Sequence, residues 1–178
     1  LGGTDTGHYN VAIGTSALQA DCVDYNVAVG KSALYNFTGS SAVAVGYQAA
    51  DAATSAVGLT AVGTNALGAN TDGHYNTAVG SSAASSLVSA DNCTAVGRHS
   101  QSLNSAGNDN TSVGMNSLYS STNGDANTAV GSFAAHKTTG SSNVAIGMNA
   151  AYYTSTTDEC IAIGRNALLG VSGNTTGN

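Results

Sequence analysis

The sequence predicts an all-β fold, a parallel β-solenoid of about ten coils, on three observations. A short phrase built around Ala-Val-Gly or Ala-Ile-Gly recurs through the 178 residues. Each phrase has β-branched residues at alternate positions, and the segments between phrases are rich in Gly, Asn, Asp, Ser and Thr. One strand-like run and one turn-like segment per fixed period are typical of solenoids, in which each unit stacks on the next.

The glycine that ends each phrase sets the length of the repeat. It recurs every 16 or 17 residues, so ten units, here called coils 1 to 10, fill residues 1–178 as a single domain. At about 4.8 Å per coil, they predict a rod about 48 Å long. Because Leu1 falls within a unit, the sequence is also expected to be a segment of a longer fibrous protein. The ten glycines are Gly14, Gly30, Gly46, Gly63, Gly80, Gly97, Gly114, Gly131, Gly147 and Gly164.

The residues before each glycine predict one short strand per coil. The nearest is always Val or Ile, the next is Ala except at Ser112, and the third is Val, Thr or Ile. Alternating β-branched residues favour a strand, and a run of about five residues is too short for a stable helix. The Ser-Ala-Leu stretch after the glycine is a candidate for a second strand. Absence of Pro agrees with strands that donate every N–H to a ladder.

Alternation along the strand predicts which side chains share a face. In coil 1, Val11 and Ile13 point to one side, while Asn10, Ala12 and Gly14 point to the other. We expect Val11 and Ile13 to fill the interior of the coil. The small-residue side is also too apolar for a solvent-facing surface, so we expect a second chain to cover it. The strand pattern therefore predicts an oligomer.

Charge and composition exclude several classes of function. Four basic and ten acidic residues argue against nucleic acid and anionic membranes as partners. No apolar run approaches the length of about 18 residues that a membrane span needs. No nucleophile-and-base constellation, phosphate loop or metal-ligand spacing occurs, so we predict neither an enzyme nor a cofactor. His8 and His74 share the context Gly-His-Tyr-Asn, but four coils separate them.

A longer period places charged residues at regular intervals. Three of the four cations occupy the position after the strand-end glycine and recur every fourth coil, each with an aspartate seven positions earlier. An extended strand keeps the two charges of one chain apart, so we predict salt bridges between chains. The alternative is that these charges serve solubility. The residues are Lys31, Arg98 and Arg165, with Asp24, Asp91 and Asp158.

The repeated phrases resemble a known family. "NVAIGTSAL", "NVAVGKSAL" and "NVAIGMNAA" are similar to the head repeats of trimeric autotransporter adhesins (YadA-like heads), and similar "NTAVG" repeats occur in phage tail fibres. The resemblance spans all ten coils. It implies a left-handed β-roll, three chains around one axis, and an extracellular location on a bacterial cell surface or a virion fibre.

The leading functional prediction is a structural or adhesive fibre segment of a homotrimer. It would bind a host surface glycan or protein through its exposed turns. Exposed aromatic residues suit such contacts, although packing between neighbouring turns is the alternative. The candidate ligand-binding residues are Tyr35, Tyr47, Phe133, Tyr152 and Tyr153.

An ice-binding solenoid is the alternative prediction. Five consecutive coils place a threonine at the first strand position, and a regular row of threonines on a flat sheet can order water. Because this column shares its face with the invariant Val or Ile, the sequence favours an inward ladder instead. The residues are Thr60, Thr77, Thr94, Thr111 and Thr128.

Overall fold

The computed structural model describes residues 7–154, 156 and 158–170, and over these the chain is a parallel β-solenoid. Ten strands form one sheet in chain order, and each pairs in parallel with its sequence neighbours. The described residues contain no helix. The predicted all-β solenoid is therefore confirmed. The first and last residues of the chain, including Leu1, lie outside the described residues.

Each strand consists of the three residues before a strand-end glycine. The strands are β1 (Val11–Ile13), β2 (Val27–Val29), β3 (Val43–Val45), β4 (Thr60–Val62), β5 (Thr77–Val79), β6 (Thr94–Val96), β7 (Thr111–Val113), β8 (Thr128–Val130), β9 (Val144–Ile146) and β10 (Ile161–Ile163).

The register of the sheet follows the sequence repeat. Val11 pairs with Val27, and Thr60 pairs with Thr77, in each case the residue at the same position of the next repeat. Each strand position therefore forms a column of equivalent residues along the rod. The extra residue of the longer coils lies in the turn, where Ser55 separates Thr54 from a buried Ala56.

The orientation of the strands is opposite to the prediction from the sequence. The middle residue of the strand points into the coil, as at Ala44, which is fully buried, whereas the flanking Val45 is 37% exposed. Val11 and Ile13 likewise lie on the outer surface. The predicted small-residue face is buried, but the chain's own turn covers it rather than a partner.

The turn after the strand supplies the large side chains of the interior. One position, four residues after the strand-end glycine, holds Leu18, Leu34 and Leu67. A second position, seven residues after that glycine, holds Phe37 and Leu87. All five are buried. Because the turn fills the space beneath the sheet, only a small residue fits at the middle strand position. The β-branched residues are then left on the outside.

The Ser-Ala-Leu stretch forms a turn and not a second strand. Ser16 and Leu18 have φ values of 56° and 50°, in the left-handed region that a strand does not use. The N–H groups still bond to neighbouring coils, as from Leu18 to the carbonyl of Ala33 at 3.0 Å. The turns therefore stack in register like the strands.

The strand-end glycine is required by close approach between coils. Gly63 has a φ of 129°, and a Cβ at this position would lie 2.7 Å from the carbonyl carbon of Gly80 in the next coil. A larger residue would force the two coils apart.

A ladder of asparagine side chains runs inside the coils at the position before the strand. Asn76 Nδ2 donates to the carbonyl of Ala90 at 2.6 Å, and its Oδ1 accepts the N–H of Cys93 at 2.9 Å. Asn127 Oδ1 accepts the N–H of Asn143 in the same way. In the coils that carry asparagine at this position, the amide thus joins the coil to the next where the strand begins; Ala42, Leu59, Cys93 and Cys160 replace it in the other coils.

A polar layer divides the apolar interior around coils 6 and 7. Ser100 Oγ hydrogen bonds to Ser112 Oγ and, at 3.1 Å, to Ser117 Oγ. Gln101 Nε2 donates to the carbonyl of Thr94 at 3.2 Å, whereas its Oε1 has no hydrogen-bond partner. The contact from Ser100 to Ser112 also shows that the turn after the strand packs against the inner side of the sheet.

Candidate functional site

The outer side of the sheet, here called the strand face, is a strip of β-branched residues. It consists of the first and third residues of the ten strands, all exposed or half-buried. Nine steps of about 4.8 Å make the strip about 43 Å long. The threonine column of β4 to β8 lies on it, so the expected inward threonine ladder is wrong.

An acidic edge precedes the strand face. Asp24 Oδ1 accepts the N–H of His8 at 2.6 Å, and Asp91 Oδ1 accepts that of His74 at 2.7 Å. Asp158 Oδ1 accepts the N–H of Ser141 at 2.7 Å. Each of these three carboxylates therefore lies against the coil before its own, six residues ahead of the strand-end glycine.

A basic edge follows the strand face. Lys31 Nζ lies 5.9 Å from the ring centre of Tyr47, the equivalent residue of the next coil. Arg98 Nη2 similarly lies 3.9 Å from Met115 Sδ. Arg165 is exposed. Within the described residues none of the three cations forms a salt bridge, whereas His8 Nδ1 lies 3.6 Å from Asp24 Oδ1.

The turn side of the rod carries five clustered rings and one lysine, here called the aromatic ribbon. Its residues are Tyr119, Phe133, His136, Lys137, Tyr152 and Tyr153. Tyr119, His136 and Tyr152 are the fifth residues after three successive strand-end glycines, so coil stacking places them one above another. Their ring centres are 5.1 and 4.8 Å apart. These three rings form the spine of the ribbon.

Other rings flank this spine. Phe133 lies 5.2 Å from His136 with its ring turned by 66°, and Tyr153 lies 4.5 Å from Tyr152 with its ring turned by 65°. Lys137 Nζ lies 5.1 Å from the ring centre of Tyr153. The five rings are half-buried, while Lys137 is exposed.

The ribbon contains three of the five predicted ligand-binding aromatics. Phe133, Tyr152 and Tyr153 are brought together, while Tyr35 and Tyr47 lie in coils 2 and 3. Neither of these two tyrosines contacts another aromatic ring of the described residues. Tyr119, His136 and Lys137 were not among the predicted ligand-binding residues. The recurrence of Tyr, His and Tyr at one position of three successive coils is the signal for the spine.

Burial affects two ionisable groups near these features. Burial among the rings lowers the pKa of His136, and the carbonyl of Asn116, 3.1 Å from His136 Nδ1, partly opposes this effect. Burial also raises the pKa of the Cys93 thiol to about 11. The Cys93 thiol is therefore uncharged at neutral pH, and the His136 imidazole is protonated to a smaller extent than a free histidine.

The described residues hold no arrangement typical of a metal centre, since no three His, Cys, Asp or Glu side chains are placed to share an ion. His74 Nδ1 instead accepts the N–H of Val57 at 3.1 Å. The same part of the chain contains no helix that is long and apolar enough to cross a membrane.

Comparison with known proteins gave no relative. No family model, no curated protein and no solved structure matches the chain.

Proposed function

We propose that the chain is a structural segment of an extracellular homotrimeric fibre, on a bacterial surface or a virion, in which copies pack through their strand faces. The single observation that carries the proposal is the outward strip of β-branched residues along ten coils. Soluble monomers rarely expose continuous apolar patches of more than a few hundred Å². Packing of three copies removes this strip from water, and the resemblance of the repeats to the heads of trimeric adhesins supports three as the number of copies.

The two charged edges support a rotational arrangement. In a closed ring of parallel copies, the basic edge of one chain meets the acidic edge of the next. Asp24 and Lys31 belong to coil 2, and Asp91 and Arg98 belong to coil 6. Chains packed at the same height therefore bring opposite charges together, which supports the inter-chain salt bridges predicted from the sequence.

The mass in solution tests the assembly. Sedimentation equilibrium should give three times the 17.4 kDa mass of one chain. Val79→Asp adds a charge to the strand face and should yield monomers, whereas Ser89→Asp adds the same charge in an exposed turn and should leave the trimer intact. A folded wild-type monomer at micromolar concentration contradicts the proposal.

The salt bridges have a test of their own. Arg98→Glu should weaken the trimer more than Arg98→Met, because it places two negative charges together. The difference between the two variants should shrink in high salt, which screens the charges. Equal effects of the two substitutions would show that Arg98 does not face a carboxylate of another chain.

The outward threonine column favours ice binding as a second candidate function. Thr60 to Thr128 present one threonine per coil beside a column of valines, at intervals of about 4.8 Å. A folded monomer with thermal hysteresis activity supports this candidate. The activity should fall in Thr94→Lys and persist in Thr122→Lys, which changes an exposed turn.

A further inference from the structure

We infer that the aromatic ribbon binds an anionic polysaccharide that lies along the rod axis. The inference extends the recognition part of the proposed fibre function, since it requires the turn side to stay open when strand faces pack. Ser100 in the turn contacts Ser112 on the inner side of the sheet, so the turn lies across the coil from the strand face. Packing of the strand faces therefore leaves the turn side open.

The shape of the ribbon indicates an elongated ligand. The spine from Tyr119 to Tyr152 crosses two coil steps, about 10 Å, and the flanking rings of Phe133 and Tyr153 are turned out of the spine planes. The stacked rings hold one another, so little conformational freedom is lost on binding. An extended ligand that follows the coils contacts several rings at once.

The chemistry of the ribbon suits a saccharide. Aromatic rings offer apolar surface, while the tyrosine hydroxyls and the His136 imidazole add hydrogen-bonding groups beside it. Sugar rings have the same combination of apolar C–H faces and a polar rim. A purely apolar partner would leave these polar groups without hydrogen bonds.

The distribution of charge indicates that the ligand is anionic. The chain has a net charge of −6, yet in coils 4 to 10 the eight residues after each strand-end glycine contain no Asp or Glu. In the three of these segments that carry the ribbon, which follow Gly114, Gly131 and Gly147, the only Lys, Arg, Asp or Glu is Lys137. Lys137 is held over the Tyr153 ring at the ribbon itself. An anionic ligand is attracted to this side and repelled by the acidic edge.

The test measures binding of defined oligosaccharides to the full chain by isothermal titration calorimetry. The probes are an oligogalacturonate, a sulfated cello-oligosaccharide and a neutral cello-oligosaccharide of the same length. We expect at least tenfold tighter binding of one or both charged probes than of the neutral one, and the comparison tells carboxylate from sulfate. Equal affinities or no binding of either charged probe would overturn the inference.

Matched variants locate the site. Lys137→Met and Tyr153→Ala should each weaken binding at least fivefold, while Lys31→Met and Tyr47→Ala, which alter a similar cation–ring pair elsewhere, should change it less than twofold. Equal losses in both pairs contradict binding at the ribbon. Sedimentation of the same samples separates the two proposals. A monomer that binds the charged probe supports the saccharide site and contradicts the trimer. A trimer that does not bind either charged probe supports the assembly and overturns the saccharide site.

Discussion

The side-chain oxygen of Asn76 accepts the backbone N–H of Cys93, one coil further along the chain, at 2.9 Å. Both groups are buried, so water cannot replace the bond. Asn76→Ala should lower the free energy of unfolding by about 1–3 kcal/mol, because it leaves a buried N–H without this acceptor. Urea denaturation followed by circular dichroism measures the change.

Asn36→Ala is the control for that substitution. Asn36 Nδ2 donates to the carbonyl of Asp51 at 3.1 Å, but the side chain is exposed, so water can take its place. We expect a change of less than about 0.5 kcal/mol. Similar losses from the two variants would show that the interior position gives the amide no special importance.

Gln101→Leu should stabilise the protein by about 1 kcal/mol. Gln101 Oε1 is buried without a partner, and the equivalent position holds leucine in several coils, for example Leu67 and Leu118. The carbonyls that Gln101 Nε2 contacts keep other donors, since Ser112 Oγ reaches Thr94 and the Thr94 N–H reaches Asn110. Urea denaturation gives the free energy.

The reverse change at an apolar position checks this reasoning. Leu67→Gln buries an amide among apolar neighbours and should destabilise the protein by about 2 kcal/mol or more. A destabilising effect of Gln101→Leu would mean that the amide contributes more through its two hydrogen bonds than its unpaired oxygen costs.

Stability should fall as the pH drops below about 6.5. The folded state lowers the pKa of His136, so the unfolded chain binds more protons in the window between the folded and unfolded pKa values. The contribution of His136 to the free energy of unfolding is constant above the pKa that the residue has in the unfolded chain. It declines as the pH falls from that value to the pKa in the folded chain, and it is constant again at lower pH. The groups around the imidazole are Tyr119, Phe133, Lys137 and Tyr152.

His136→Phe isolates this effect. The variant keeps a ring in the spine but removes the titration, so its stability should change less than that of the wild type between pH 7.5 and pH 5.5, as measured by urea denaturation. Identical pH profiles for the two proteins would show that another group causes the dependence.

Cys93 should resist alkylation in the native protein. Only the thiolate reacts, and a pKa of about 11 leaves roughly one thiol in a thousand ionised at pH 8. Its Sγ also donates to the carbonyl of Gly107 at 3.2 Å inside the coil. Mass spectrometry after iodoacetamide treatment should find this residue modified in urea and unmodified in buffer. Equal rates in the two solutions would contradict burial of the thiol.

The repeat pattern was sufficient to predict one strand in each stacked coil, because alternating β-branched residues precede every strand-end glycine at a nearly constant spacing. It could not predict which side of the strand is inward. A strand such as Val43–Val45 is apolar on both faces, and β-branched residues ordinarily favour the interior. The deciding residues lie in the turns, where Leu34 and Phe37 occupy the space that Val43 and Val45 were expected to fill.

The candidate site was predicted only in part, for a similar reason. Phe133, Tyr152 and Tyr153 were predicted because aromatic residues in turns suit ligand contacts, a property that each residue shows singly. The contact of Tyr119 with His136 depends on coil stacking, which brings the fifth residues after successive strand-end glycines together. Tyr35 occupies the same position in coil 2, where the next coil has Asp51, so no ring stack forms there.

The one-residue difference between coils has a consequence for how such a rod can change in evolution. Thr38 donates its N–H to the carbonyl of Thr54 at 2.7 Å, and Thr54 donates to Thr71 at 2.9 Å, although the second step along the chain is one residue longer than the first. The added residue projects from the turn, while the hydrogen bonds between neighbouring coils keep their register. Genes that recombine at any pair of repeats therefore encode rods that differ in reach by whole steps of about 4.8 Å, with their sheet intact.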